Sequence, residues 1–156
     1  MSDVLELKNK KYVVSQDLED LAKKVIADKH LDIDQAKIKY VLVYPAISKK
    51  LAGRCVLSNP MLKLFGECDY IIQMSGDLWD KLDDARKEIL MWHELMHVLP
   101  VQNTKTGNLD FKLRDHDVKD FIVIIKQYGI DWLSEVKALF ASVYNLEPKD
   151  LDGFEL

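Results

Sequence analysis

Residues 93–97 read His-Glu-Leu-Met-His, and this pentapeptide constrains the chain more than any other feature. Four residues at about 100° each return a side chain to within roughly 40° of its start, one turn further along a helix. His93 and His97 therefore point both imidazoles at one place. Glu94 lies about 100° round from His93, where it can touch a water that the imidazole pair holds near it. Ile89, Leu90, Met91 and Trp92 precede the motif, Leu95 and Met96 lie inside it, and Val98 and Leu99 follow. A helix apolar nearly all round is a buried one. Imidazoles and a carboxylate buried there are costly without a partner, and a divalent cation is such a partner. One zinc ion is the expected cofactor. It lowers the pKa of bound water to about 7, and Glu94 is then placed to act as general base and later general acid on a carbonyl substrate. The bland alternative is a helix with two hydrogen-bonded core histidines and a paired glutamate. A chance H-E-x-x-H in a chain this long is roughly a one-in-a-hundred event, which favours the metal.

Catalytic zinc usually takes three protein ligands. The extension H-E-x-x-H-x-x-G-x-x-H is not present, because Pro100 and Asn103 stand at its Gly and third His positions. His116, in Arg114-Asp115-His116-Asp117-Val118, is the best third ligand. It should sit at the start of the next amphipathic helix and be returned to the first by a helical hairpin. Asp115 and Asp117 beside it are natural acceptors for imidazole N–H groups. Asp110, Asp115, Asp117 and Asp120 are rival carboxylate ligands. Cys68 is a further rival, since peptide deformylases take an upstream Cys, but their surrounding motif is missing. His30 ends the first helix and reads as a solvated C-terminal residue.

Length and composition bound the rest. A chain of 156 residues, 48% hydrophobic and 31% charged, is one ordinary globular domain. Net charge is −4, from 22 basic and 26 acidic residues. No global basic field invites nucleic acid. The acidic N-terminal sequence is unlike a signal peptide, and no apolar run reaches the roughly 20 residues of a membrane span. Cys55 and Cys68 do not make a disulfide framework and read as buried small hydrophobes. A cytoplasmic, reduced protein with no membrane partner is expected.

The pattern predicts an α+β fold. Residues 1–14 carry mixed charge. A helix spans 17–29, with Leu18, Leu21, Ala22, Val25 and Ile26 on one face. Strands follow at 38–44, 53–58 and 68–74, with a turn at Asn59-Pro60. A helix, in one piece or two, runs from Asp77 to Leu99 and stops at Pro100. Residues 101–114 form a loop. Val118, Phe121, Ile122, Ile125 and Tyr128 mark another helix, closed by Gly129. Asp131 caps the last one, with Val136, Leu139, Phe140, Val143 and Tyr144 as its buried stripe. Residues 147–156 form a frayed, mobile tail.

The order strand, His93-Glu94-Leu95-Met96-His97-Val98, then His116-Asp117-Val118-Lys119-Asp120-Phe121, resembles the phage metallopeptidases, small zincin-like proteins of phages and prophages. Leu51-Ala52-Gly53-Arg54 and Tyr128-Gly129 also fit, and the likeness covers most of 38–130. A more distant similarity is to SprT-like proteases, whose Cys-rich zinc ribbon is absent. The resemblance implies a single zincin-like domain over 1–156, a small mixed sheet packed on helices with a central H-E-x-x-H helix. It also implies His93, His97 and His116 as ligands, Glu94 as base, and a peptide or protein substrate, in the host cytoplasm if the chain is phage-encoded. Zincins hold substrate along a sheet edge, which points to the strand before the helix, with Tyr70, Ile71 and Ile72, as the place for β-augmentation. Tyr70, Arg54, Arg114 and Tyr128 are candidate oxyanion donors. Two competing readings are a non-catalytic zinc-containing regulatory protein of phage origin acting on a host protein, which has no need of Glu94, and a metal-dependent nuclease, which the charge disfavours.

Overall fold

Alternation along the strands fixes the layers. The computed structural model describes residues 3–117 and 120–156. Strands β1 (Val4–Leu7), β2 (Lys10–Val14), β3 (Ile38–Tyr44), β4 (Gly53–Leu57) and β5 (Tyr70–Ser75) form one sheet in the order β1-β2-β3-β5-β4. β3 and β5 are parallel and the other pairs antiparallel. In register, Tyr40, Ile72 and Cys55 form one row across the sheet, and all three are buried. The neighbouring row, Val41, Gln73 and Arg54, is partly or fully exposed. The sheet thus buries chiefly one face, as period-two alternation requires.

Helices α1 (Gln16–Asp28) and α4 (Asp84–Leu95) pack on each other, α1 against β3 and α4 against β4. Ser15 caps α1 by accepting from the Leu18 N–H, and Leu18, Ala22 and Val25 face the core. Between them in the chain lie α2 (Pro60–Leu64), which the expected Asn59-Pro60 turn opens, and α3 (Gly76–Lys81). The predicted helix 77–99 is two helices. Leu82 is extended and buried, and Asp83 starts α4 by accepting from the Arg86 N–H at 2.9 Å.

Pro100 does not stop a helix. α4 ends at Leu95, and residues predicted as loop form a hairpin of β6 (Val98–Gln102) and β7 (Leu109–Leu113). Arg114 N bonds His97 O and Asn103 N bonds Asn108 O, so odd-numbered residues of β6 face β7. Pro100 falls between them, where its missing N–H would point away from the ladder. Two more helices follow, α5 (Ile122–Tyr128) and α6 (Asp131–Val143), the latter burying Trp132, Val136 and Phe140. Helix α5 begins later than expected, so His116 lies in the connection after β7, and Val118 lies outside the described residues.

Both ends of the chain are more ordered than composition suggests. β1 and β2 form a hairpin turned by Lys8 and Asn9 at φ 51° and 66°. The expected frayed tail folds back instead. After a 3-10 turn at Pro148–Leu151, Leu151, Phe154 and Leu156 are buried, and Phe154 packs on Phe140 with ring centroids 5.0 Å apart. No helix among the described residues is long and apolar enough to cross a membrane.

Candidate metal centre

His93 occupies the last turn of α4, and its side chain is 0% exposed. His97 follows two residues after the helix ends. The β6–β7 hairpin then brings the chain back, because Arg114 N bonds His97 O at 2.8 Å. His116 is only two residues past this contact, and a β-hairpin does the work expected of a helical one.

The three imidazoles converge. His116 Nε2 lies 2.9 Å from both His93 Nε2 and His97 Nε2. The outer nitrogens of His93 and His97 are engaged elsewhere. His97 Nδ1 is 2.7 Å from the Arg114 carbonyl oxygen, and His93 Nδ1 is 2.7 Å from Asp120 Oδ1. A carbonyl and a carboxylate only accept, so each Nδ1 carries the hydrogen and each Nε2 presents a bare lone pair. Burial pushes all three imidazoles below their usual pKa, which keeps them neutral. The bare lone pairs of His93 and His97, with His116 Nε2 beside both, offer a cation three nitrogen donors. Nitrogen ligands on a tetrahedral zinc lie about 3.3 Å apart, given bonds of about 2.0–2.1 Å. The donor set fits a borderline-soft divalent cation, and it is the one three-residue cluster of this kind among the described residues.

Glu94 strengthens the fit. It is 0% exposed, and neither carboxylate oxygen has a hydrogen-bond partner. Burial alone pushes its pKa up to about 8. A fully buried carboxyl without a donor is costly and marks a position that awaits a ligand or water. It faces β4. A Cβ placed on Gly53 would come within 3.2 Å of Glu94 Oε1 and 2.8 Å of Met74 Sδ. Only glycine leaves that approach clear.

The supporting groups differ from those expected. Asp120, 2% exposed, orients His93 and also accepts from Trp132 Nε1 at 2.8 Å and from the Phe121 N–H at 2.7 Å. Its place in the His-Asp-x-x-Asp-Phe run was the available signal, whereas nothing in the sequence pointed to Trp132. Asp117 accepts from the Ile122 N–H, and Asp110 is bonded to Asn103. Asp115 is exposed and near enough to His97 and His116 to favour their protonated forms. Cys68 is buried against Ser58, away from the cluster.

Three of the four candidate oxyanion donors, Tyr70, Arg54 and Tyr128, are engaged elsewhere. Tyr70 Oη accepts from the Leu99 N–H at 3.3 Å and donates to the Lys112 carbonyl at 2.7 Å, so it ties the sheet to the hairpin. Arg54 bonds Gln73 on the face of the sheet away from Glu94. Tyr128 packs against Trp92 and takes a bond from Lys29. Arg114 serves through its backbone, and its side chain is exposed. Tyr70, Ile71 and Ile72 cannot receive a peptide strand, because β5 is paired on both sides. The sheet edge next to Glu94 is that of β4, with which no other strand pairs among the described residues, while β7 packs close to it. Ser75 N bonds Ala52 O and Ser58 N bonds Asp69 O, so residues 52 to 58 at even numbers face β5. Gly53, Cys55 and Leu57 therefore turn their backbone N–H and C=O groups outward.

No curated protein and no solved structure matches the chain. A family model described as "Putative phage metallopeptidase" matches residues 10–144, a span that contains the three histidines and Glu94. The chain belongs to that phage metallopeptidase family.

Proposed function

We propose that the protein is a zinc-dependent peptidase in which His93, His97 and His116 hold one ion and Glu94 transfers protons. Glu94 carries this reading, because it is buried without any partner on the helix that brings His93 and His97 together with His116. A bound zinc ion supplies Lewis acidity, which acidifies water and polarises a carbonyl. The remaining roles fall to this chain's own residues. Glu94 accepts a proton at a carboxylate oxygen as water attacks the peptide carbonyl, and then passes it to the departing amine nitrogen. Asp120 and the Arg114 carbonyl fix the ring orientations of His93 and His97.

A peptide substrate adds to the outer edge of β4, where Gly53 and Cys55 offer backbone groups next to Glu94. The two free, buried cysteines suit a reducing cytoplasm, the host's if the chain is phage-encoded. A protein that used zinc only as a structural element would gain nothing from an unpartnered buried glutamate.

The test is metal analysis of purified protein followed by a peptide-library digest with wild type and Glu94→Gln. Wild type should hold one zinc per chain and cleave. Glu94→Gln should hold the same zinc and lose at least 100-fold in kcat. Hydrolysis by Glu94→Gln at the wild-type rate would sink the mechanism.

A further inference from the structure

A groove of about 570 Å³ opens where the loop leaving β3 passes the end of α6. That volume holds a few bulky side chains. Ala46 lines it from the loop, and Phe140, Tyr144 and Leu146 line it from the end of α6 and just beyond. The charged residues lining it are Lys10 and Lys49, and no carboxylate does so among the described residues. Neither ammonium is in an ion pair there. Lys10 Nζ donates to the Ile47 carbonyl, which fixes its charge against the loop. Glu6 and Asp77 line an adjoining depression that shares Lys10 and Pro45 with the groove. On a chain of net charge −4 this is a local cationic spot beside apolar walls.

The groove is also preformed. Tyr144 Oη donates to the Pro45 carbonyl at 2.6 Å and accepts from the Leu78 N–H at 3.1 Å, so loop, α3 and α6 are tied together. Ala46 makes no hydrogen bond among the described residues, which leaves its N–H and C=O for an extended peptide. The metal centre is elsewhere. Trp132, which holds Asp120 behind His93, stands eight residues before Phe140 on α6, about 12 Å along the helix.

We infer that this groove binds a segment of a partner protein in which bulky apolar side chains are flanked by carboxylates. Apolar surface bordered by charge is the anatomy of a protein interface. The partner's apolar side chains displace water from Phe140, Tyr144 and Leu146, and its carboxylates pair with Lys10 and Lys49 and steer the approach. A segment flanked by lysines is repelled. The net negative charge of the chain disfavours an acidic segment over the surface at large, which directs it to this spot. The inference does not depend on the peptidase reading, since it needs neither the metal nor Glu94.

Fluorescence anisotropy of dye-labelled hexapeptides on the full chain tests it. The probe has two central phenylalanines flanked by four glutamates. One control replaces the glutamates by lysines, the other the phenylalanines by serines. The probe should bind at least 10-fold tighter than either control, and more weakly at 1 M salt, where charges are screened beyond about 3 Å. Lys49 is exposed and makes no hydrogen bond among the described residues, so Lys49→Glu keeps the fold. That variant should lose at least 10-fold in affinity for the probe. Lys126→Glu on α5 changes the net charge equally and should stay within about threefold. Absence of probe binding, equal binding of the three peptides, or equal losses in the two variants overturns the inference. Phosphatidylglycerol vesicles supply apolar chains and negative charge from a membrane. Cosedimentation with them that Lys49→Glu abolishes, without a preference among the peptides, would also overturn it and assign the groove to lipid.

Discussion

His93 Nδ1 and Asp120 Oδ1 share a buried hydrogen bond of 2.7 Å across 27 residues of sequence. Asp120 is held in turn by the Trp132 indole and the Phe121 N–H, so its carboxylate is fixed before any metal arrives. A carboxylate behind a ligating imidazole sets its tautomer and raises its basicity. Asp120→Ala should therefore weaken zinc affinity 10- to 100-fold, measured by competition with a chromophoric chelator. Asp117→Ala, which removes a contact to the Ile122 N–H only, should leave affinity within a factor of about three. Equal losses in the two variants would remove Asp120 from its orienting role.

With metal withheld, Glu94 makes stability depend on pH in a definite direction. Burial raises its pKa from 4.5 to about 8. Between those values the folded state holds a proton that the unfolded chain has released, so stability falls as pH rises through the window. The three histidines act oppositely and in a lower range. Burial holds them below 6.5, so their contribution is present above 6.5 and is lost as pH falls. Glu94→Gln deletes the first effect and keeps the second. The melting temperature of metal-free Glu94→Gln should exceed that of wild type at pH 8.5 and approach it at pH 5. A difference between the two proteins that does not change with pH would show that Glu94 is solvated.

Tyr70 is a tie between sheet and hairpin, and its loss should register as stability with little effect on chemistry. Its hydroxyl satisfies the Leu99 N–H and the Lys112 carbonyl, both in the ribbon that carries His97 toward His116. Tyr70→Phe removes both bonds while Leu99 and Lys112 keep their ladder bond to each other, at a cost of about 0.5–1.5 kcal/mol per bond. Urea denaturation of the zinc-free protein should show that loss, while kcat stays within a few-fold of wild type. A 100-fold fall in kcat with unchanged KM would return Tyr70 to the chemistry.

How far the sequence could be read depended on whether the signal was local. Ile38–Tyr44 was legible because β-branched and aromatic residues alternate there, and the observed strand has those bounds. His93, Glu94 and His97 were legible because one helical turn relates them. The β1–β2 hairpin was not, since Lys8 and Asn9 adopt positive φ without a glycine to advertise the turn. Pro100 was misread because its role depends on which way its missing N–H points, a matter of register with Phe111 on the next strand. Choosing Asp120 from among Asp110, Asp115 and Asp117 required knowing that Trp132 lies behind it. The buried tail was missed because Leu151, Phe154 and Leu156 are separated by charges and a glycine, and their core is supplied by α6 and the approach to β4.

Gly53 sets the distance between the open edge and the general base. Its backbone conformation is open to any residue, so an alanine there meets only a packing problem. The added Cβ would lie 2.8 Å from Met74 Sδ, 3.2 Å from Glu94 Oε1 and 3.3 Å from the Gln73 carbonyl oxygen. Thioether and carboxylate are the two neighbours able to move, and the backbone of β5, paired on both sides, is not. Overpacking of this size costs about 1–3 kcal/mol. The catalytic effect should exceed what that loss of stability explains, because Glu94 is pushed away from the edge on which the substrate lies. Gly53→Ala should keep zinc at wild-type occupancy, stay folded at 25 °C, and lose 10- to 100-fold in kcat, since misplacement of a catalytic group by about 1 Å has an effect of that order. The check is metal content, melting temperature and kcat on one preparation. Wild-type kcat in a fully folded Gly53→Ala protein would mean that the close approach of Glu94 to Gly53 does not set the position of the general base.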